Sequence, residues 1–369
     1  MAGFPVFASR RLRSTPYTER VEASGLSGYT VYNHMLLPAS FESLEADAAH
    51  LKKYVQIWDV AGERQVEVVG PDARMLSVMM SARDLTNAVD KRCYYAPICD
   101  HKGGMINDPI ALCLGEDRFW FSIADSDMLL WAKGLATAMK LDVEIFEPDV
   151  SPLAIQGPLA DDLMAEVFGE AVRDIKFFRF ERFAWRGRDL IIARSGWSKQ
   201  GGFEIYLDDS KLGVALWDDI AAKGEKYNLR AGCPNLIERI EGGLLSLGND
   251  MTIEDTPMEC GLAKYVSLDS HDFIGRDALL KQREDGVQKQ LMGLVIEGDM
   301  LPPVAMPADC FIGDEKVGFQ TSGVYSPDFG QNLGFAMMFG AAMQEGTQIE
   351  VETVKGRRRA TVTSLPFQS

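Results

Sequence analysis

A chain of 369 residues exceeds the length over which one hydrophobic core keeps growing, so two or three domains are expected. Hydrophobic residues at 46% and charged residues at 25% fit an ordinary globular composition, and no apolar run approaches the ~20 residues of a membrane helix. The net charge of −16 argues against non-specific nucleic-acid binding, which needs Lys and Arg to neutralise phosphate, while leaving room for a local basic pocket.

In chain order, Arg10, Arg11 and Arg13 are followed by no apolar h-region or cleavage site; an organellar presequence is conceivable, but the segment lacks a clear amphipathic helix, and a cytoplasmic location is expected. Gln65 to Val69 alternates polar and apolar residues before Pro71 and reads as a strand. Arg118 to Ile123 reads as a second strand. Asp125-Ser126 then offers a helix N-cap, ahead of Met128, Leu129, Leu130, Trp131, Leu135 and Met139 at helical spacing. Asp209 to Ala222 reads as an amphipathic helix with Leu212, Val214, Leu216 and Trp217 on or near its buried face. Beyond residue 285 the segments become short, β-rich and punctuated by Gly and Pro, as in Leu291–Ile296, Val317–Thr321 and Ile349–Val354; a small barrel or sandwich is expected there. Lys355, Arg357, Arg358 and Arg359 are expected at a solvated turn between strands. Irregular alternation of strand and helix favours an α+β class over a doubly wound sheet.

Six scattered cysteines and four scattered histidines lack the spacing of a zinc site, so free thiols and no metal are expected. The sequence carries no phosphate loop, no dinucleotide glycine fingerprint, no G-x-S-x-G elbow and no H-E-x-x-H. What remains is chemistry that asks side chains for positioning and charge, such as transfer to a cofactor that is itself the nucleophile.

Ala193 to Leu207 reads as a strand, a glycine-rich turn and a returning strand, with Phe203 and Ile205 on one face and Glu204 and Tyr206 on the other. Glu204 is either an ordinary exposed strand carboxylate or a buried one that accepts paired hydrogen bonds from a planar amino-heterocycle.

Here the sequence resembles the folate-binding aminomethyltransferase family, whose best-known member is the T-protein of the glycine cleavage system. Ser195-Gly196-Trp197 and Gly202-Phe203-Glu204-Ile205 match the family's T-G-Y and G-[FY]-E-[IV]. Four further segments follow family order: Gly103-Gly-Met-Ile-Asn-Asp108, Leu153-Ala-Ile-Gln-Gly-Pro158, Asp272-Phe-Ile-Gly-Arg-Asp-Ala-Leu279 and Val317-Gly-Phe-Gln-Thr-Ser-Gly323. The resemblance implies a three-domain T-protein-like α+β fold with a C-terminal β-barrel and tetrahydrofolate as co-substrate in a central channel. It implies a discontinuous folate-binding domain (1–50 and 141–250), a second domain (51–140), a connection (251–284) and a barrel domain (285–369).

The departures point to a branch. Asn107 replaces the first acid of the family's acidic pair, leaving Asp108, and Asn235 stands where an arginine is usual, with Arg239 and Glu241 retained. Arg11 to Tyr17, Thr30 to Pro38 and Val60 to Val66 are similar to the branch that demethylates dimethylsulfoniopropionate. A sulfonium methyl is already activated and its thioether leaves neutral, so no general acid is needed at the leaving group. The resemblance implies Glu204 as pterin anchor, Trp197 and Tyr206 lining the cofactor or substrate, and Asp108 orienting the cofactor or acting in catalysis. Tyr32, Tyr94, Tyr95, Trp197 and Tyr206 are candidates for an aromatic cradle for the cation. Lys199, Arg179 or Arg239 could meet the substrate carboxylate. A small-molecule substrate is the expected partner, without nucleic acid or membrane, and a homodimer is compatible with the reading. The rivals are an aminomethyltransferase served by a lipoyl carrier, a non-catalytic folate binder, which should carry a K-G-C-Y string absent here, and a demethylase of another methylated donor.

Overall fold

The computed structural model describes residues 9–367. The chain divides into two compact units: one holds residues up to Ala73 with Val89–Tyr94 and Ile110–Asn235, the other Arg74–Ala88, Tyr95–Pro109 and the chain from Leu236. The expected α+β class is observed, and the C-terminal strands close into a barrel. Among the described residues no helix is long and apolar enough to cross a membrane.

In the first unit a six-stranded sheet runs in the order Phe180–Trp185, Arg188–Ala193, Gly202–Leu207, Ser151–Gln156, Gln56–Asp59, Arg230–Gly232. All neighbours are antiparallel except the last pair. Alternation along the strands sorts its side chains. Leu153, Ile155, Phe203 and Ile205 turn to one face, where Leu163 and Met164 of helix Ala160–Phe168 and Leu216 and Ile220 of helix Gly213–Gly224 cover them. Each such side chain contributes roughly 1.5–3 kcal/mol by leaving water. On the opposite face Ile191, Ala193 and Tyr206 pack with Leu112 and Trp120 of a five-stranded sheet, ordered Glu144–Phe146, Gln65–Val69, Arg118–Ser122, Ile110–Cys113, Arg92–Tyr95. Glu204 lies on this second face and is therefore enclosed between two sheets.

The expected helix begins at Met128, but Asp127 rather than Asp125-Ser126 is its N-cap, and no side chain caps it. Asp125 is engaged elsewhere: its Oδ1 accepts from the Asn33 backbone N–H at 2.8 Å. Asn33 and His34 form the two-residue turn between strands Gly28–Tyr32 and Met35–Ser40, both with positive φ, as a tight hairpin requires. The Asn33 amide donates to the carbonyls of Gly62, Ala124 and Ile123 at 3.0, 3.2 and 3.3 Å, which fastens the hairpin tip. The expected helix from Asp209 starts as a short 3-10 turn, Ser210–Leu212, before the α-helix. Leu216 and Trp217 are buried as expected, and Gly213 is required where Pro16 packs against the helix.

In the second unit the six strands Lys289–Ile296, Gln331–Phe339, Glu315–Ser326, Ala308–Ile312, Gln348–Thr353 and Gly356–Thr363 form the closed barrel in that order. Leu294, Ala336, Met338, Val351, Ala360 and Val362 fill its interior. Val354, expected at the end of a strand, is an exposed turn residue. Of the basic run only Lys355 sits at the turn; Arg357, Arg358 and Arg359 belong to the last strand. All six cysteines are free and buried, and burial pushes up the thiols of Cys93, Cys99, Cys233, Cys260 and Cys310, that of Cys99 to about 12.

Candidate functional site

In the first unit the strand-turn-strand motif is built around Gln156. Its Nε2 donates to the Ser195 carbonyl at 3.1 Å, and its Oε1 accepts from Ser198 Oγ at 2.8 Å. The loop between Ala193 and Gly202 is thus bound at both shoulders by one amide. Gly196 and Gly202 approach that amide and the Ile155 carbonyl so closely that a Cβ on either would overlap them, and both have positive φ. The Gly157 N–H closes the arrangement on the Gly201 carbonyl at 3.0 Å. The two sequence segments Leu153–Pro158 and Ser195–Tyr206 are therefore one piece of structure.

Glu204 stands opposite Ala154 and Ala193, whose small side chains leave room beside its carboxyl. It is buried, not an exposed strand residue. Its Oε2 accepts from Ser195 Oγ in a short hydrogen bond and from the Tyr206 hydroxyl at 3.4 Å. Burial raises its pKa, the larger effect, and these two donors pull it back down. A carboxylate held this way has acceptor capacity left for a planar amino-heterocycle, which could donate two parallel N–H bonds. Tyr206 is fully buried with its ring 6.1 Å from that of Trp120. The Trp120 Nε1 is tied to Glu67 at 2.9 Å.

The other first-unit candidates occupy different places. Trp197 is half-buried in the loop, and Lys199 beside it is exposed. Tyr32 is half-buried at the end of its strand, where its backbone and ring face Gly62. Tyr94 accepts from the Val89 N–H at 3.0 Å and lies under Arg92, so its hydroxyl and one ring face are engaged. Arg179 is half-buried near Cys93.

In the second unit Asp108 follows a short hairpin, Ile98–Cys99 with Met105–Asn107. Gly104 nestles against the Ile253 carbonyl, and Gly275 against the Asp100 carbonyl and Gly103, leaving no room for a Cβ. The Gly103–Asp108 and Asp272–Leu279 segments thus meet each other. Asp108 Oδ2 accepts from the Tyr95 hydroxyl at 2.8 Å; Oδ1 is enclosed with no partner among the described residues. Burial lifts the Asp108 carboxyl to about 7, against the smaller lowering by Tyr95. Such a group can switch between donor and acceptor near neutral pH. The Tyr95 ring packs 4.7 Å from that of Tyr265.

Arg239, a candidate cation for the substrate carboxylate, is buried in a different task. It pairs with Asp250 and donates to Ser322 Oγ. A bulge in strand Glu315–Ser326 turns both Thr321 and Ser322 toward Asp250 Oδ1, at 2.8 and 2.6 Å. The Val317–Gly323 segment is thus explained as the partner of a buried ion pair. The polar residues missed by sequence reasoning are Ser195 as the donor to Glu204, Gln156 as the loop anchor, and Asp250. Ser195 and Gln156 lie inside the family-like segments; nothing local marked Asp250. Among the described residues no cluster of His, Cys, Asp or Glu could hold a metal ion.

Comparison with known proteins places these features in a wider set. Residues 17–270 match the model of the GCVT N-terminal domain, and residues 289–368 that of the glycine cleavage T-protein C-terminal barrel domain. The chain is 54% identical over 357 residues to the dimethylsulfoniopropionate demethylase of Ruegeria pomeroyi, covering 97% of this chain and 98% of the other. It is 30% identical over 322 residues to an aminomethyltransferase of Caldanaerobacter subterraneus, covering 85% of each. The crystal structure of aminomethyltransferase T from Bartonella henselae shares the fold, with a TM-score of 0.87 at 22% identity over 97% of this chain and 98% of that one.

Proposed function

The chain belongs to the glycine cleavage T-protein family, and we propose that it is a tetrahydrofolate-dependent demethylase of dimethylsulfoniopropionate. The end-to-end likeness to a sulfonium demethylase carries this reading; the aminomethyltransferase compared above shares far fewer positions. The sulfonium S–CH3 bond breaks with its electron pair left on sulfur, and the methyl carbon bonds to tetrahydrofolate N5, which then loses its proton. The products are 3-(methylthio)propionate and 5-methyltetrahydrofolate. Because the thioether leaves neutral, the protein needs to supply alignment, exclusion of water and aromatic faces for the cation.

In the first unit the reading gives Glu204 the edge of the pterin, supported by its burial and its spare acceptor capacity. Trp197 and Tyr206 line cofactor or substrate, Tyr32 joins the cradle, and Lys199 is the cation offered to the substrate carboxylate. The second unit has its own candidates: Tyr95 offers an aromatic face for a cation, and Asp108, with one enclosed oxygen and a carboxyl poised near 7, is suited to orient a cofactor. A cytoplasmic location agrees with six free cysteines.

The test is to incubate purified protein with tetrahydrofolate and sulfonium, betaine, methoxy or lipoyl-carrier donors, following folate products by mass. Formation of 5-methyltetrahydrofolate from the sulfonium alone is expected. Methylene-tetrahydrofolate from the lipoyl carrier would overturn the reading.

A further inference from the structure

We propose that Gln65 is a positioning residue of the pterin site: its amide sets the direction in which a buried chain of hydroxyls donates toward Glu204. The inference deepens the reading of Glu204 as pterin anchor and rests on it.

Gln65 and Ser122 are cross-strand partners in the five-stranded sheet, and both are buried. The Gln65 Nε2 donates to Ser122 Oγ at 2.9 Å and to the Glu63 carbonyl at 2.9 Å, which uses both of its protons. The Glu63 carbonyl fixes the amide's orientation, because a flipped amide would set one carbonyl oxygen against another. In this orientation the Gln65 oxygen is enclosed with no partner among the described residues. A buried polar atom left unmatched is costly, so the orientation is held by what the nitrogen does.

The consequence runs along the chain of hydroxyls. Ser122 Oγ accepts from Gln65, so its own proton is left for the Tyr206 hydroxyl, on which it acts in the sense of a donor, drawing the phenol's pKa down against the larger effect of burial. Tyr206 in turn directs its proton to Glu204 Oε2 at 3.4 Å, the oxygen that Ser195 Oγ also serves. Every donor therefore points toward the carboxyl. The other titratable groups facing this cluster are the Cys93 thiol, which burial keeps protonated, Glu63 near Tyr206, and Arg179 near Cys93. Glu67, on the same strand as Gln65, is occupied by Arg118 and Trp120. Burial works to protonate Glu204, and the directed donors oppose it, so that the site meets a pterin as an acceptor.

Without the Gln65 donor, Ser122 Oγ is free to accept. Tyr206 can then turn its proton to Ser122 and away from Glu204. The experiment measures tetrahydrofolate affinity from about pH 5 to about pH 9 in wild type, Gln65→Met, and Gln65→Met combined with Ser122→Ala. The acid-side midpoint of binding should rise by ~0.5–1 unit in the single variant. It should return toward wild type in the double variant, where Tyr206 has no acceptor but Glu204. The infrared carboxyl band of Glu204, identified with Glu204→Gln, reads the same titration in the protein without folate. A shift of that band in Gln65→Met with no folate binding in any form would remove the pterin reading and keep the role of Gln65. An unshifted midpoint and band in folded Gln65→Met, or a double variant shifted as far as the single one, would overturn the inference.

Discussion

The Gln156 side-chain amide fills the space that a side chain at Gly196 would need, and it holds the loop backbone on both sides of that glycine. The loop bearing Trp197 and Lys199 therefore has its shape set by a residue about 40 positions earlier in the chain. Gly196→Ala must displace the amide and also adopt a φ of 142° that suits glycine. The cost should be about 1–3 kcal/mol of stability, read by urea denaturation, with a raised KM for tetrahydrofolate. Stability and KM both unchanged would show that the loop adapts freely.

Asp59 gives a pH prediction that does not depend on catalysis. It is buried, accepts from Thr15 Oγ1 at 2.5 Å and from the Ala61 N–H at 3.1 Å, and is lifted by burial to about 7. A carboxyl whose pKa is raised on folding stabilises most below its unfolded value, and that contribution is lost as pH rises through the folded one. Asp59 should therefore cost on the order of 2–3 kcal/mol of unfolding free energy between about pH 5 and about pH 8. Asp59→Asn should flatten this dependence; an equally steep profile in the variant would refute it.

The buried pair Arg239 and Asp250 separates a structural from a substrate-binding arginine. Arg239→Met leaves the Asp250 charge enclosed and should cost about 3–5 kcal/mol by denaturation. Adding Asp250→Leu should recover much of that loss. Unchanged stability with a raised KM for the sulfonium would return Arg239 to the substrate.

Trp197→Leu should raise KM for dimethylsulfoniopropionate roughly five- to thirtyfold if the indole faces the sulfonium. Inhibition by 3-(methylthio)propionate should change much less, because its sulfur is neutral. Equal losses for both would assign Trp197 to packing or to the cofactor.

Tyr95→Phe removes the hydroxyl that draws the Asp108 carboxyl down, so that carboxyl should titrate higher than about 7. The acid limb of the kcat–pH profile should move up by ~0.5–1 unit. A limb that stays in place would detach Asp108 from the rate.

Local pattern made some of this legible in the sequence. Two-residue alternation assigned Glu204 and Phe203 to opposite faces, because a strand has no other period. Short strands at even spacing pointed to a small barrel or sandwich, the family resemblance to a barrel, and the strands close into one. Pattern could not say what each polar side chain meets. The Asp125-Ser126 pair has the composition of a helix cap, yet Asp125 is drawn 92 positions away to Asn33. Arg239 looked like an available cation until Asp250 and the bulged strand at Ser322 enclosed it. Gln65 fell in an ordinary alternating strand; only the pairing with Ser122 across 57 positions gives its amide a purpose.

The six enclosed cysteines turn the folded chain into its own recorder of unfolding. An alkylating reagent meets none of them until a segment opens, so labelling rates count opening events and say little about thiol reactivity. Cys93, Cys113 and Cys233 belong to the first unit and Cys99, Cys260 and Cys310 to the second. Peptide-level labelling therefore runs two clocks in one tube, and a folate that slows only one of them reveals which unit it tightens.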